Sequence, residues 1–188
     1  MKKNNIAFTF ATAEVNRLGQ LFIMITELLT GKLKLKAKPF RAGEIIQVKL
    51  DSVTEEVRTQ VTIPDDNTAP QFDEGADTGL LITMTPTSTS SLIRATIQGQ
   101  FRNQAALKTI QIVLFEDTTA VAATTFVQPS NGQSIGSFTF YFNSASTTQH
   151  NYTVRFGSSS GSHITRLDLD TSLGGLNKAT LFLEEIAQ

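Results

Sequence analysis

Residues 80–99, LLITMTPTSTSSLIRATIQG, read as two strands around a turn. After the turn, Ile93, Ala95 and Ile97 fall on one side, and Leu92, Arg94, Thr96 and Gln98 fall on the other. That is the period-2 alternation of a strand with one buried face. Between the two apolar runs, residues 86–91 are only Pro, Thr and Ser. Pro86 brings no N–H, and the neighbouring hydroxyls satisfy turn backbone, so the chain breaks there. The segment carries no evident chemistry, and its pattern recurs to the C-terminus. The reading is a β-scaffold that binds rather than transforms.

Outward from this segment, further strands are expected near residues 44–50, 57–63, 108–115, 121–127, 135–142, 151–156, 164–169 and 180–186. Residues 65–79 read as a long acidic loop, and 157–162 and 171–178 as further loops. Short strands at regular intervals with Ser/Thr/Gly punctuation predict a mainly β fold, a β-sandwich or jelly roll. Phe138, Phe140 and Phe142 share one face of their strand, and Tyr141 takes the other. Residues 112–115 and 181–183 are apolar on both faces, so each has a second surface to bury. In a sandwich that surface is often a subunit interface, and Phe182 is placed there.

The first 42 residues read differently. Residues 1–10 suggest a short extended arm, with Ile6, Phe8 and Phe10 on one face. Residues 13–30 form the one convincing helical pattern: Val15, Leu18, Phe22, Ile25 and Leu29 make a heptad seam, widened by Leu21 and Leu28 and stopped by Gly31. Gly19 inside it costs about 1 kcal/mol against Ala, so the helix needs packing partners. Those partners are either the same helix in two or more other copies, or the β-domain itself. Lys32, Lys34, Lys36 and Lys38 then alternate with Leu33, Leu35 and Ala37, a strand with a lysine face, ended by Pro39. The division expected is residues 1–42 for attachment and trimerisation and 43–188 for the β-domain.

A chain of 188 residues with 40% apolar content is long enough for one good-sized core. Thirteen Phe against no Trp and two Tyr means rings without polar handles, destined for a core or an interface. The absence of Cys excludes disulfides and thiolate metal sites. The net charge of −1 conceals a split: residues 1–50 sum to +6, 51–80 to −7 and 81–188 to zero. Either the basic end meets nucleic acid, or the two charged segments meet each other or their counterparts in a neighbouring copy. No aromatic residues interleave the lysines for base stacking, so no nucleic-acid partner is expected. No apolar run approaches the ~18 residues that span a membrane. The five-residue run IAFTF is too short for a secretory leader.

The search for chemistry returns little. His150 and His163 stand alone and are expected to be exposed loop histidines, without Cys or a second His at metal-ligand spacing. No nucleophile elbow, phosphate loop or zincin helix occurs. Asp65, Asp66, Asp73, Glu74 and Asp77 crowd the acidic loop but lack the calcium-loop spacing. They read as a solvated loop or a partner for the basic segment 32–41. Asp168 and Asp170 share a face, Glu184 and Glu185 do not, and Asn151-Tyr152-Thr153 matches a glycosylation sequon. The expectation is no enzyme, no cofactor and no metal.

From residue 43 onward the order of pieces resembles the C-terminal head domains of tailed-bacteriophage virion proteins with a C1q/TNF-like jelly roll. GEIIQVKL (43–50) matches the first strand and residues 80–99 the strand–turn–strand. IVLFED (112–117) comes next, then SFTFYFNSASTTQHNYTVRFG (137–157), and ATLFLEEIAQ (179–188) closes the domain. The resemblance implies a homotrimer with its terminal strand near the three-fold axis, located on the virion and made in the host cytoplasm. It supplies no catalytic or cofactor-binding residue. Its partners would be copies of itself and other virion proteins, of the major capsid or the tail, and no membrane. A helix of about 17 residues spans about 25 Å, a peg rather than a fibre shaft. The reading therefore leans to a capsid decoration (cement) protein. The alternative is a tail-fibre or tail-tip protein that binds a host surface glycan. The interface is expected at Val15, Leu18, Phe22, Ile25, Leu29, Lys32, Lys34, Lys36, Lys38 and Phe182.

Overall fold

The computed structural model describes residues 40–104, 108–128, 134–160, 164–167 and 177–188. These form ten strands: β1 (Ile45–Val53), β2 (Val57–Thr59), β3 (Ala76–Met84), β4 (Leu92–Asn103), β5 (Lys108–Glu116), β6 (Thr119–Gln128), β7 (Ser134–Asn143), β8 (His150–Ser158), β9 (Thr165–Leu167) and β10 (Ala179–Ile186). The expected arm, helix and lysine strand lie outside the described residues, with every predicted interface residue except Phe182. So do His163, Asp168 and Asp170.

Pairing is antiparallel and nested: β1 with β10, β2 with β9, β3 with β8, β4 with β7, and β5 with β6. This is one long hairpin rolled up on itself. Further pairing of β10 with β4 and of β5 with β8 completes two sheets, β1-β10-β4-β7 and β3-β8-β5-β6. Short β9 extends the first sheet by pairing with the far end of β4, and β2 lies beyond it. The two sheets enclose one core, a β-sandwich.

The alternation read in residues 80–99 sets this core. Ile93, Ala95 and Ile97 are buried, as are Leu80, Ile82 and Met84 of β3. They meet Leu181 and Leu183 of β10 and Ile110, Ile112 and Leu114 of β5. Phe101 anchors an aromatic group with Phe126, Phe138 and Phe156, at centroid distances of 6.0, 6.4 and 6.1 Å. The turn between β3 and β4 is pinned from the opposite end of the chain. Glu185, fully buried, accepts hydrogen bonds from Thr87 N–H (2.7 Å), the Thr87 hydroxyl (2.6 Å) and Gln47 (2.6 Å).

Three expectations are corrected. The acidic loop is shorter than read, because β3 begins at Ala76. Val113 and Phe115 do have a second face to bury, but their own chain covers it. Ile63 packs on both, and Phe72 meets Phe115 edge-on at 5.3 Å. The stretch between β2 and β3 thus folds back over the outside of the second sheet. Thr62 bridges to Ser158, and Gly75 N–H donates to Thr62 O at 2.9 Å. Arg155 reaches from β8 to the carbonyls of Glu74 and Gly75, both at 2.9 Å, with its guanidinium 5.3 Å from the Phe72 ring centre. Third, His150 is not an exposed loop residue. It is buried at the start of β8.

Candidate functional site

The outward face of sheet β1-β10-β4-β7 is unlike a solvated sheet surface. Register places its side chains in rows that cross all four strands. One row is Leu50, Phe182, Thr96 and Thr139. The next is Val48, Glu184, Arg94 and Tyr141. On one flank lie Ser52, Thr180, Gln98 and Ser137, and on the other Ile45, Ile186, Leu92 and Asn143. An antiparallel sheet with one wet face normally presents polar residues there. Here Leu50 is 65% exposed, Tyr141 59%, Ile45 49% and Val48 48%, and Ile135 at the start of β7 reaches 86%. The middle rows line a shallow depression of about 450 Å³.

Electrostatics centre on one pair. Arg94 forms an ion pair with Glu184 across β4 and β10, and the Glu184 carboxylate is nearly buried. Hydrogen bonding to Glu184, with a smaller contribution from Tyr141, holds the Arg94 guanidinium above its ordinary pKa. A cation, a carboxylate and an aromatic hydroxyl therefore sit together, with Val48, Leu50 and Phe182 interspersed among threonines. Aromatic residues and Arg in such a setting characterise the cores of protein interfaces.

Of the residues predicted from sequence, Phe182 lies on this face, half-buried, beside Thr96. Arg94, Thr96 and Gln98, legible as the polar side of a strand and, given the resemblance, as candidates for subunit contacts, lie there as well. Tyr141 and Glu184 were legible only by the face they take, and Leu50 and Val48 carried no signal of their own. Each shows its outward parity in sequence, but only strand neighbourhood brings them together.

A second polar cluster lies where the β5–β6 turn meets the connection between β7 and β8. Buried Glu116 accepts from the Tyr152 hydroxyl at 2.7 Å, from Ser144 and from Ala145 N–H at 3.3 Å. Burial, followed by the Glu116 interaction, pushes the Tyr152 phenol well above its ordinary pKa. Asp117, at φ 54°, turns the chain and accepts from Asn151 N–H at 2.9 Å. That bond and the contact with His150 hold its carboxyl below the ordinary value. His150 Nδ1 lies 2.7 Å from Asp117, and its Nε2 lies 2.9 Å from Ser146 Oγ. The order Asp–His–Ser is that of a hydrolase relay. Ser146 Oγ, however, also caps its own turn, accepting from Thr148 N–H at 3.1 Å and sitting 2.6 Å from the Thr148 hydroxyl. The cluster ties two connections together at one end of the sandwich. Among the described residues, no three His, Asp or Glu converge at metal-binding distance.

No family model and no curated protein matches this chain. Several solved structures are similar. The insecticidal delta-endotoxin Cry8Ea1 from Bacillus thuringiensis matches over 63% of this chain and 19% of its own, at 14% identity and TM-score 0.37. The sugar-binding EclA C-terminal domain matches over 62% of this chain and 76% of its own, at 18% identity and TM-score 0.34. The chain of infectious bursal virus derived T=1 particles matches over 83% of this chain and 40% of its own, at 9% identity and TM-score 0.41. The present chain thus spans less than half the length of the endotoxin and of the viral chain.

Proposed function

We propose that this chain is a non-enzymatic structural protein of a bacteriophage virion. In this reading it self-associates as a homotrimer through the outward face of β1-β10-β4-β7 and decorates the capsid surface. The observation that carries the proposal is the apolar, Tyr- and Arg-bearing outer face centred on the terminal strand β10. Exposed apolar area of this kind marks an association surface. The nested antiparallel pairing of the β-sandwich supports reading it as a jelly roll. The resemblance to C1q/TNF-like head domains assigns the closing strand to the three-fold axis, where β10 would lie. The sequence places lysines at 32, 34, 36 and 38, and in this reading their positive charge serves contact with a shell.

Sedimentation equilibrium of the full chain tests the association. A trimer supports the proposal, and a stable monomer at micromolar concentration overturns it. Gold-labelled antibody on intact particles tests the location: label on the head supports decoration, and label on the tail alone selects the fibre or tail-tip alternative. A fluorophosphonate probe tests the non-enzymatic assignment at the Asp117–His150–Ser146 relay. Labelling of the native protein that disappears in Ser146→Ala would overturn it.

A further inference from the structure

The two sides of the sandwich are finished differently. β1 and β3 edge it on one side, and β6 and β7 on the other. On the first side the sheets are tied together. Leu81 N–H donates to the Asp51 carboxylate and the Gln47 side-chain amide to the Thr85 carbonyl, both at 2.8 Å. The inward residues of β3, Thr78, Leu80, Ile82 and Met84, are all buried. On the second side the inward residues are covered only in part. Ala122, Thr124 and Phe126 of β6 and Phe138, Phe140 and Phe142 of β7 are half-buried, although Phe126 and Phe138 stack at 5.5 Å.

An edge strand presents a row of unpaired main-chain N–H and C=O groups, which charged side chains, proline or bulges normally blunt. β1 carries Lys49 and Asp51, and β3 carries Asp77. β7 is uncharged, but its Thr139 and Tyr141 belong to the face proposed for the trimer. β6, TAVAATTFVQ, has neither charge nor proline, and among the described residues it pairs with β5 alone. One register shift leaves Val121 without an opposite residue, and residues 122–128 beyond it pair regularly. The strap between β2 and β3, residues 60–75, covers Val113 and Phe115 of β5. It leaves Thr125 and Val127 of β6 exposed, Val127 at 57%.

A strand that fills this edge must match its length and bring no charge against the half-buried phenylalanines. A second copy of β6 does both. Antiparallel self-pairing is isologous and closes on a two-fold axis. If all of residues 122–128 pair, their midpoint, Thr125, faces its own counterpart. Ala123 then lies opposite Val127, and Thr124 opposite Phe126, small against large on each side of the sheet. No charged side chain of one β6 meets its like. The axis also turns the two open sides toward each other. We propose that β6 pairs antiparallel with β6 of a second copy, Thr125 opposite Thr125, joining the two second sheets into one. The contact uses the side of the sandwich and not the outward face of β1-β10-β4-β7, so it goes beyond the trimer reading and does not depend on it.

The chain has no cysteine, so one introduced thiol reports on one position. Directly opposite residues of an antiparallel pair have Cα atoms about 4.5–5.5 Å apart, within disulfide reach. Thr125→Cys, at an exposed position, should therefore give a disulfide-linked dimer on mild oxidation of the full chain, read on a non-reducing gel. Ala123→Cys and Val127→Cys should not cross-link alone, since each lies four positions, about 13–14 Å, from its counterpart. Mixed together, with one of them size-tagged, they should form the heterodimer. Adding Ala123→Lys/Val127→Lys to the Thr125→Cys protein sets lysine opposite lysine on the edge and should slow its cross-linking about tenfold. Circular dichroism checks that each variant is folded. Equal cross-linking of the three single-cysteine variants would mark random collision and overturn the proposal, as would none in Thr125→Cys. The read-out is the register at β6, not the number of copies. A protein that fails to trimerise therefore leaves the pairing testable, and absence of the cross-link leaves the trimer standing.

Discussion

Arg94 of β4 and Glu184 of β10 stand directly opposite each other and form an ion pair on the outward side of their sheet, flanked by Tyr141 and Val48. Glu184 is nearly buried, so removing its partner leaves a charge that water barely reaches. Arg94→Glu should therefore lower the thermal midpoint and abolish the proposed self-association, because two carboxylates then face each other. The exchange Arg94→Glu/Glu184→Arg restores opposite charges and should recover most of both. Thermal melting and sedimentation velocity on the three proteins check this. A double variant no better than the single one would mean that the residues act independently.

Tyr141 is the position at which the proposed association can be tested apart from folding. It is 59% exposed and projects away from the core, so Tyr141→Asp should cost only about 1 kcal/mol of stability, from strand propensity and the contact with Arg94. In an interface the same substitution places an unpaired carboxylate in an apolar contact, which costs several kcal/mol. The expected result is a folded monomer by circular dichroism and sedimentation. A variant that sediments as wild type would remove this face from the assembly.

These two predictions rest on relationships that sequence reveals unequally. The strands themselves are legible, because alternation in 92–98 or 138–142 is local and Pro86 marks its turn. The parity of Arg94, Phe182 and Tyr141 is legible for the same reason. Their adjacency is not, since it depends on pairing between strands far apart in the chain. The strap is hidden for another reason: Ile63 and Phe72 are isolated apolar residues among Asp, Pro and Thr, a composition that reads as solvated loop. His150 looked like a surface residue because its partner Asp117 lies 33 positions away and becomes a neighbour only through the register of β5 and β8.

Glu185 gives the protein an acid-sensitive clasp. Burial alone would raise its pKa, but hydrogen bonds from Gln47, Thr87 and Ser91 outweigh it and hold the carboxyl below the ordinary 4.5. With the native value depressed, the contribution to stability is fully present above pH 4.5 and is lost as pH falls through the native pKa. Urea midpoints measured from pH 7 down to about 3 should fall along that limb. Glu185→Gln should be less stable than wild type at pH 7 by about 1–2 kcal/mol, with the gap closing in acid. A gap that stays constant with pH would show that the carboxylate charge contributes nothing.

Gly75 and Gly79 allow backbone strain to be weighed against close approach. Both lie at positive φ, +67° and +81°. A methyl group at Gly79 meets only Val53, at 3.4 Å, so Gly79→Ala carries little beyond the left-handed penalty of about 1–2 kcal/mol. At Gly75 the added carbon falls 2.8 Å from Ile63 and 2.8 Å from the Phe156 carbonyl oxygen, a backbone atom held in β8. Gly75→Ala must push the strap off the sheet or bend the strand, for a total of about 2–4 kcal/mol. Because Ile63 and Phe72 travel with the strap, hydrogen exchange in that variant should accelerate at Val113 and Phe115 before it does at Ile93 or Leu183. Equal losses in the two alanine variants, with uniform exchange, would mean that the strap does not depend on the close approach at Gly75.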